Sequence, residues 1–252
     1  MNEKNEKIAL FVPNLFGGGA QRVMVTLANA LAGKEIDVDL VVANFEGPYC
    51  SSVNRCVHVV DLGVSRAITS LPSLVRYLRY EQPAGLLSTL MYANVIAACA
   101  HSISRSAARL VMRETNSIRK PKDVNDSLKR KITLFLASWA YGYADHIIGI
   151  SRGLSKELKQ IFSLPAEKVT AIHNPAFNSK ISALKVEHPD NFQKDREYIL
   201  AAGSLTPQKD FPTLLRAFAQ VRDVRPDVRL VILGEGGLRS HLETVARGLS
   251  IW

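Results

Sequence analysis

Cysteine is scarce in the sequence and forms no recognisable pairing. The 252 residues contain three cysteines, and no two of them stand in a Cys-x-x-Cys pair. The odd number and the spacing of Cys50 and Cys56 match neither a disulfide framework nor a common zinc motif. The sequence therefore excludes a small secreted scaffold, predicts no metal site and indicates a reducing compartment such as the cytosol.

Long apolar runs are also missing. The N-terminal segment MNEKNEK is polar and the apolar run after it is short, so no signal peptide is predicted. From Gln82 to Ala100 the chain has no charge over about the length that spans a bilayer. Pro83, Gly85 and Asn94 are among the residues that interrupt this stretch, which is therefore predicted to be a buried strand followed by a buried helix.

Acidic residues are too few to balance the basic ones, since 23 Asp and Glu against 32 Lys and Arg give a net charge of +9. Residues 105–131 alone contain nine basic and three acidic residues. No aromatic residue lies among these cations, which argues against a nucleic-acid partner. Two interpretations of residues 105–131 stay open, an anionic membrane surface and a solvated face.

Strand-length apolar runs alternate with helix-period segments along the chain. This alternation predicts an α/β fold with a mainly parallel sheet. The predicted strands cover 8–12, 38–43, 57–62, 85–90, 110–113, 146–150, 169–173, 198–202 and 228–233. The predicted helices cover 20–33, 71–80, 92–104, 128–143, 154–162, 212–221 and 238–247, with Ser70 as N-cap of the second and Asp126 and Ser127 capping the fourth.

The alternation stops at Asn174-Pro175 and restarts at Tyr198. The sequence therefore predicts a first domain over 1–175, a linker over 176–196 and a second domain over 197–252. Two βα units cannot make a well-covered parallel sheet, so the second domain is expected to be incomplete.

Three glycine-containing loops follow predicted strands. The first holds Gly17, Gly18, Gly19 and Arg22, the second holds Gly203, Ser204 and Lys209, and the third holds Gly234, Glu235 and Gly236. Glycines let a backbone approach a ligand closely, and a helix N-terminus favours phosphate oxygens. Each loop alone is a weak signal, because a flexible turn is the alternative for the first, a solvated lysine for the second and a tight turn for the third. Together they predict ligand-facing loops at the carboxyl ends of the strands.

In this order the motifs resemble the retaining glycosyltransferases of family 4, which have the GT-B architecture of two Rossmann-like domains. The resembling segments are LFGGGAQRVMVTLANAL, ADHIIGISRGLSKEL, VTAIHNP, YILAAGSLTPQKDFPTLLRAF and VRLVILGEGGLRSHLE. The resemblance implies a first, acceptor-binding domain and a second domain that binds most of a nucleotide-sugar. It also implies that Gly18 and Gly19 approach the donor, that Lys209 neutralises its diphosphate, and that Glu235 and Gly236 lie near the nucleotide.

The sequence departs from the family pattern at three places. Ser204 stands where the family usually has an arginine, and no histidine follows the strand that ends at Leu90. The family's pair of glutamates, spaced eight positions apart, would fall beyond Trp252, so we expect a truncated second domain.

Glu114, after a predicted strand, is the candidate catalytic residue that orients an acceptor hydroxyl. A surface pair between Arg113 and Glu114 is an equal alternative. His101 and His173 are expected to be structural. Ser151 and Arg152 end a strand at the predicted ligand edge, but no histidine and aspartate pattern makes Ser151 a nucleophile.

The resemblance implies transfer of a sugar, usually from a UDP-sugar, to a lipid-linked or polysaccharide acceptor with retention of configuration and without a cofactor. We expect the protein in the cytosol or peripheral on the inner face of the cell membrane. Two other hypotheses are an inactive remnant that only binds an acceptor or a membrane, and a NAD-dependent oxidoreductase. Against the latter, Arg22 occupies a glycine position of the dinucleotide fingerprint.

Overall fold

The computed structural model describes residues 7–119, 128–175 and 196–252. Its contacts divide the chain into two compact units, Met1–Ala176 and Phe177–Trp252. Asp126 and Ser127, predicted as helix caps, lie outside the described residues, as do residues 176–195 of the predicted linker.

A seven-stranded parallel sheet forms the centre of the first unit. The strand order is β3-β2-β1-β4-β5-β6-β7, so the chain moves to one side of β1 and then to the other. This confirms the predicted α/β class with a parallel sheet. The strands are β1 (Ile8–Val12), β2 (Val38–Val42), β3 (His58–Asp61), β4 (Gly85–Thr89), β5 (Arg109–Glu114), β6 (His146–Gly149) and β7 (Val169–Ala171).

Helices cover both faces of this sheet because the strands are apolar on both sides. Leu10 and Val12 point toward the first helix, whereas Ala9 and Phe11 point toward the other four. The helices are α1 (Gly19–Ala32), α2 (Leu71–Glu81), α3 (Met91–Ser104), α4 (Leu128–Tyr143) and α5 (Arg152–Ile161). α2 to α5 therefore form one layer, with α1 on the opposite face.

The uncharged stretch from Gln82 to Ala100 forms β4 and most of α3. Leu86 and Ile96 are buried in the same core cluster, which confirms the predicted buried strand and helix. In the described parts of the chain, no helix is long and apolar enough to cross a bilayer.

Ser70 occupies the N-cap position of α2, as predicted, but its side chain makes no capping hydrogen bond. α2 begins at the next residue, but the Ser70 hydroxyl donates to the carbonyl of Ala67 at 2.5 Å and does not accept from the helix. A 3-10 turn, Ala67–Ser70, precedes the helix, and it holds the serine in a helical backbone conformation that turns its side chain backward. Pro72 lies in the first turn, where the missing backbone N–H of proline is not needed for a helical hydrogen bond.

In the second unit, residues 196–252 form two parallel strands and two helices. β8 (Tyr198–Ala202) pairs with β9 (Arg229–Leu233), and α6 (Phe211–Val224) and α7 (Arg239–Gly248) follow the two strands in turn. Leu205, Phe211, Leu215, Leu242 and Ala246 form its small core. Leu200 and Leu233 are more than half exposed, as expected for a short parallel sheet with few neighbours.

Candidate functional site

The first glycine loop leads into an uncapped helix N-terminus. Gly18 is the extended residue before α1 and has no side chain to bind the free amide N–H groups of the first turn. Gly17 and Gly19 are exposed, and a Cβ atom on Gly19 would meet no atom within 4 Å. No internal packing requires glycine at position 19, so the loop leaves open space in front of the positive end of the helix dipole.

Arg22 lies in the first turn of α1 with an exposed side chain. Its backbone N–H donates to the Gly18 carbonyl at 3.1 Å, which closes the first helical turn. The first turn of α1 has no acidic side chain that could interact favourably with the positive end of the helix dipole. The glycine loop and Arg22 together form an exposed site suited to an anion.

Glu114 ends β5 and is buried, with 1% of its surface exposed. Its Oε2 atom accepts a hydrogen bond from the Tyr141 hydroxyl, and its Oε1 atom accepts from the backbone N–H groups of Thr115, at 2.9 Å, and Asn116, at 3.3 Å. Burial, followed by the Glu114 charge, raises the pKa of Tyr141 well above its usual value. The carboxylate therefore fixes the loop that leaves the carboxyl end of β5.

Arg113 has partners of its own. Its guanidinium donates to Thr89 Oγ1 at 2.9 Å and to Asn174 Oδ1 at 2.6 Å. Burial lowers the pKa of this guanidinium, opposed by the nearby charge of Glu114. The alternative of a surface pair between Arg113 and Glu114 is wrong, because both side chains are buried and each binds different groups.

Asn94 joins these two groups from α3. Its amide donates to the Arg113 carbonyl at 3.2 Å and to the Tyr141 hydroxyl at 3.3 Å, and its Oδ1 accepts from Ser88 at 2.7 Å. Sequence reasoning missed Asn94, Tyr141 and Asn174 as site residues. Asn94 and Tyr141 lie within apolar helix patterns, and only the folded sheet brings them to the ends of β4 and β5.

The remaining candidates in the first unit have structural contacts. The buried His101 contacts the Tyr143 hydroxyl through Nδ1 at 2.9 Å and the Ala108 carbonyl through Nε2 at 2.7 Å, which fits its expected structural role. The Ser151 hydroxyl accepts from the Leu154 N–H at 3.1 Å and so caps α5. Arg152 is exposed at the start of that helix.

The two glycine loops of the second unit lie side by side at the carboxyl ends of β8 and β9. The Gly203 N–H donates to the Leu233 carbonyl and the Leu205 N–H donates to the Glu235 carbonyl, both at 2.9 Å. A Cβ atom on Gly234 would lie 1.8 Å from the Gly203 oxygen. Glycine at position 234 is therefore required by the close approach of two backbones.

Gly236 is constrained in the same way. A Cβ atom there would lie 2.5 Å from the Leu205 oxygen. Glu235 between the two glycines is exposed, and its carboxylate pairs with Arg239 of α7 at 2.6 Å. The second and third glycine loops thus form one continuous backbone surface beside the N-termini of α6 and α7.

Lys209 lies at the end of a 3-10 turn, Pro207–Lys209, directly before α6. Its aliphatic chain crosses Gly203, since a Cβ atom on that glycine would lie 3.4 Å from the lysine Cε. Among the described residues, its ammonium has no ion pair or hydrogen bond. Ser204 Oγ lies 3.4 Å from Thr206 Oγ1 in the same loop. An unpaired cation beside a helix N-terminus is suited to a phosphorylated ligand.

Within the ranges 7–119, 128–175 and 196–252, no group of three or more His, Cys, Asp or Glu side chains is placed to hold a metal ion.

The sequence of the chain matches two protein-family models. The model of Glycosyltransferase Family 4 matches residues 17–176, and the model of Glycosyl transferases group 1 matches residues 185–252. The chain belongs to glycosyltransferase family 4. Membership of this family confirms the resemblance found in the motifs and argues against the NAD-dependent oxidoreductase.

Two curated relatives carry names that specify a glycosyl transfer or a polysaccharide. A Campylobacter jejuni protein, 30% identical over 98% of this chain and 67% of its own length, is named N-acetylgalactosamine-N,N'-diacetylbacillosaminyl-diphospho-undecaprenol 4-alpha-N-acetylgalactosaminyltransferase. An amylovoran biosynthesis glycosyltransferase of Erwinia amylovora is 27% identical over 89% of this chain and 60% of its own length. The chain thus spans about two thirds or less of the length of these relatives.

Solved structures of other proteins share the fold. HepE of Anabaena in complex with UDP-glucose superposes with a TM-score of 0.71 at 17% identity, over 97% of this chain and 66% of that one. Sucrose-phosphate synthase of Thermosynechococcus elongatus gives a TM-score of 0.73 at 15% identity, over 98% of this chain and 68% of that one. These matches confirm the GT-B fold class over the part of the fold that the chain contains.

Proposed function

We propose that the protein transfers a sugar from a UDP-sugar to a lipid-linked or polysaccharide acceptor, with retention of the anomeric configuration. The observation that carries the proposal is the ammonium of Lys209 at the carboxyl end of β8, beside the N-terminus of α6, where no described side chain pairs with it. A nucleoside diphosphate gains negative charge as its bond to the sugar breaks, and a fixed cation stabilises that charge.

The proposed reaction needs no carboxylate nucleophile. The bond between the sugar C1 and the donor phosphate oxygen breaks, UDP leaves, and the acceptor oxygen bonds to C1 from the same face. The acceptor proton passes to the departing diphosphate. The residues of this chain then serve to bind and to balance charge, which agrees with the helix N-termini and cations described above.

The proposed division of labour follows the two units. Lys209, Ser204, Gly234, Glu235 and Gly236 contact the nucleotide diphosphate in the second domain, 197–252. The first domain, 1–175, holds the acceptor, and the Gly17–Gly19 loop with Arg22 contacts the transferred sugar or phosphate. Glu114 acts as a positioning residue, because its buried carboxylate binds the N–H groups of the Thr115–Asn116 loop.

The acceptor class is supported by the relatives. The Campylobacter jejuni relative is named for an undecaprenyl-diphosphate-linked acceptor, and the Erwinia amylovora relative for the synthesis of an exopolysaccharide, amylovoran. HepE was solved with UDP-glucose. We therefore infer a UDP-sugar donor, a polyprenyl-diphosphate-linked or polysaccharide acceptor, and action in the cytoplasm or at the inner face of the membrane.

A second candidate is an inactive remnant that only binds an acceptor or a membrane. It is favoured by the exposed apolar side chains of β8 and β9, Leu200 at 58% and Leu233 at 51%. A nucleotide domain with so open a sheet would bind UDP weakly or not at all.

Calorimetric titration of the 252-residue chain with UDP and with uridine tests the proposal. We expect UDP to bind more tightly than uridine, and K209A to weaken UDP binding by about tenfold while leaving uridine binding unchanged. K209R should retain most of the affinity, and K34A, at an exposed lysine after α1, should match the wild type. Absence of UDP binding, or equal binding by K209A, would contradict the proposed donor site.

A further inference from the structure

The backbone N–H groups of the loop that follows β5 are held by two carboxylates from different elements. This loop, residues 115–119, is called the β5 loop below. Glu114 accepts hydrogen bonds from the N–H groups of its first two residues. Glu157 of α5 accepts from the N–H groups of Ile118, at 2.7 Å, and Arg119, at 2.6 Å. Four of the five N–H groups in the β5 loop thus have a carboxylate acceptor.

Glu157 and its helix also hold side chains of the β5 loop. The Ser117 hydroxyl lies 3.0 Å and 2.9 Å from the two carboxylate oxygens of Glu157. The Arg119 guanidinium donates to Gln160 Oε1 at 2.7 Å, and Ile118 is buried in the main core cluster. The conformation of the β5 loop is therefore fixed by α5 as well as by β5.

These contacts make the β5 loop poorly suited to an anion. Its N–H groups point at carboxylates, and the two negative charges oppose the approach of a phosphate. The adjacent cations are engaged too, because the guanidinium groups of Arg113 and Arg119 donate to neutral side chains of the first unit. In contrast, the residue before α1 is a glycine without a side chain to cap that helix.

The β5 loop presents neutral polar groups at the carboxyl edge of the sheet. Asn116 is exposed, and its amide donates to Thr115 Oγ1 at 3.3 Å. A carboxamide can both donate and accept, as the hydroxyl and acetamido groups of a sugar require. A loop that is fixed before binding loses little conformational entropy when a ligand binds.

We propose that the β5 loop binds the saccharide of the acceptor through Asn116, and that Glu157 is the positioning residue that holds the loop ready. The inference deepens the proposed function, on which the role of the sugar as acceptor rests. It assigns the sugar, and not the diphosphate, of a lipid-linked acceptor to this edge of the first unit. Sequence motifs give no role to Glu157, since only the fold brings α5 beside the β5 loop.

Nuclear magnetic resonance of the ¹⁵N-labelled 252-residue chain tests the ligand class without a transfer reaction. The probes are the methyl glycosides of N-acetylgalactosamine, N-acetylglucosamine, galactose and glucose, and inorganic pyrophosphate. We expect at least one glycoside to shift the amide signals of the β5 loop in a saturable way, and pyrophosphate to leave them unchanged. N116A should weaken glycoside binding about tenfold, the loss of about 1.4 kcal/mol.

The matched control is N54A, at an exposed asparagine before β3, at the opposite edge of the sheet. It should bind the glycosides like the wild type. No shift with any glycoside, equal binding by N116A, or a saturable shift with pyrophosphate alone would overturn the proposal.

The positioning role of Glu157 is tested on the same binding and on amide exchange. E157A should speed exchange of the Ile118 and Arg119 amides with deuterium and weaken glycoside binding about tenfold. E157Q keeps an acceptor oxygen for both amides and should retain most of the affinity. K156A, at an exposed lysine of the same helix, should match the wild type.

E157D, one methylene shorter, should act like E157A to a smaller degree and replaces it if E157A does not fold. Faster exchange with unchanged glycoside affinity would show that Glu157 serves the fold alone, and would refute the positioning role.

Failure of this proposal is distinguishable from failure of the proposed function. UDP binding to the second unit, tested with K209A, involves no residue of the β5 loop. Glycoside binding without any transfer would leave the β5 loop site standing and contradict the reaction. Transfer in which N116A has the acceptor KM of the wild type would contradict the site and leave the reaction standing.

Discussion

The Tyr141 hydroxyl donates its hydrogen bond to the Glu114 carboxylate, and both side chains are buried. Removing this hydroxyl in Y141F leaves one carboxylate oxygen without its side-chain donor and takes an acceptor from Asn94. We expect the free energy of unfolding to fall by about 1.5–3 kcal/mol, the range for a buried hydrogen bond to a charged group. Urea denaturation followed by circular dichroism measures the loss.

Tyr143 provides the matched control for this change. Its hydroxyl contacts the His101 ring at 2.9 Å instead of a carboxylate, and its ring is 41% exposed. Y143F should therefore cost no more than about 1 kcal/mol. If Y141F and Y143F lower the free energy of unfolding equally, the hydrogen bond to Glu114 stabilises the fold no more than an ordinary one.

The buried tyrosines predict a loss of stability at alkaline pH. Burial raises the pKa of Tyr77, and its hydrogen bond to Asp39 at 2.6 Å raises it further, while burial and Glu114 raise the pKa of Tyr141. Above pH about 10 the unfolded chain releases both protons and the folded chain keeps them, so each tyrosine lowers the free energy of unfolding by about 1.4 kcal/mol per pH unit.

Unfolding measured between neutral pH and pH about 11 checks this slope. The contribution of each tyrosine is fully present below its unfolded pKa and is lost as the pH rises above it. Y77F should reduce the alkaline slope by about 1.4 kcal/mol per pH unit relative to the wild type. A variant with the same alkaline slope as the wild type would refute the assignment of a raised pKa to Tyr77.

A substitution at Gly19 can show whether glycine is needed there for ligand binding, because folding does not require it. A Cβ atom there meets no protein atom within 4 Å, and alanine is a better helix former than glycine. G19A should unfold at the same or slightly higher denaturant concentration, yet lower nucleotide-sugar turnover about tenfold by crowding the ligand. G248A, at the end of α7 with equally open surroundings, is the control and should leave turnover unchanged.

At Gly234, in contrast, folding itself requires glycine. A Cβ atom 1.8 Å from the Gly203 oxygen forces the two loops apart, so G234A should destabilise the second unit by about 3 kcal/mol or more. G237A has open space and should change stability by less than about 0.5 kcal/mol. Hydrogen exchange of the β8 and β9 amides measures both, and protection retained in G234A would disprove the steric requirement.

Local patterns predicted the elements well because hydrophobic periodicity is a local property. The predicted bounds of the strands Ile8–Val12 and Tyr198–Ala202 agree with the structure, and other strands differ by a few residues at their ends. Lys209 was also predicted to lie in a loop before a helix. The sequence marks the two ends of this loop, with Gly203 after the strand and Pro212 at the start of the helix. The family resemblance depended on the same loops.

Side-chain contacts were predicted less well because they depend on the folded sheet. The apolar spacing that predicts α4 belongs to its exposed face, whereas its buried face consists of alanines and Tyr141. Adjacency suggested a pair between Arg113 and Glu114, but neighbouring residues of a strand point to opposite faces, and each found partners on other elements.

Transfer of a sugar from a nucleotide-sugar by this chain can be measured in a single assay. The 252-residue chain is incubated with labelled UDP-sugars, including UDP-N-acetylgalactosamine, and with an undecaprenyl-diphosphate-linked glycan in vesicles. We expect a labelled lipid-linked product with a retained α-linkage, formed at least about tenfold faster by the wild type than by K209A. If no UDP-sugar is transferred or hydrolysed faster than in the K209A control, the chain is not a glycosyltransferase on its own and the inactive remnant is the correct account.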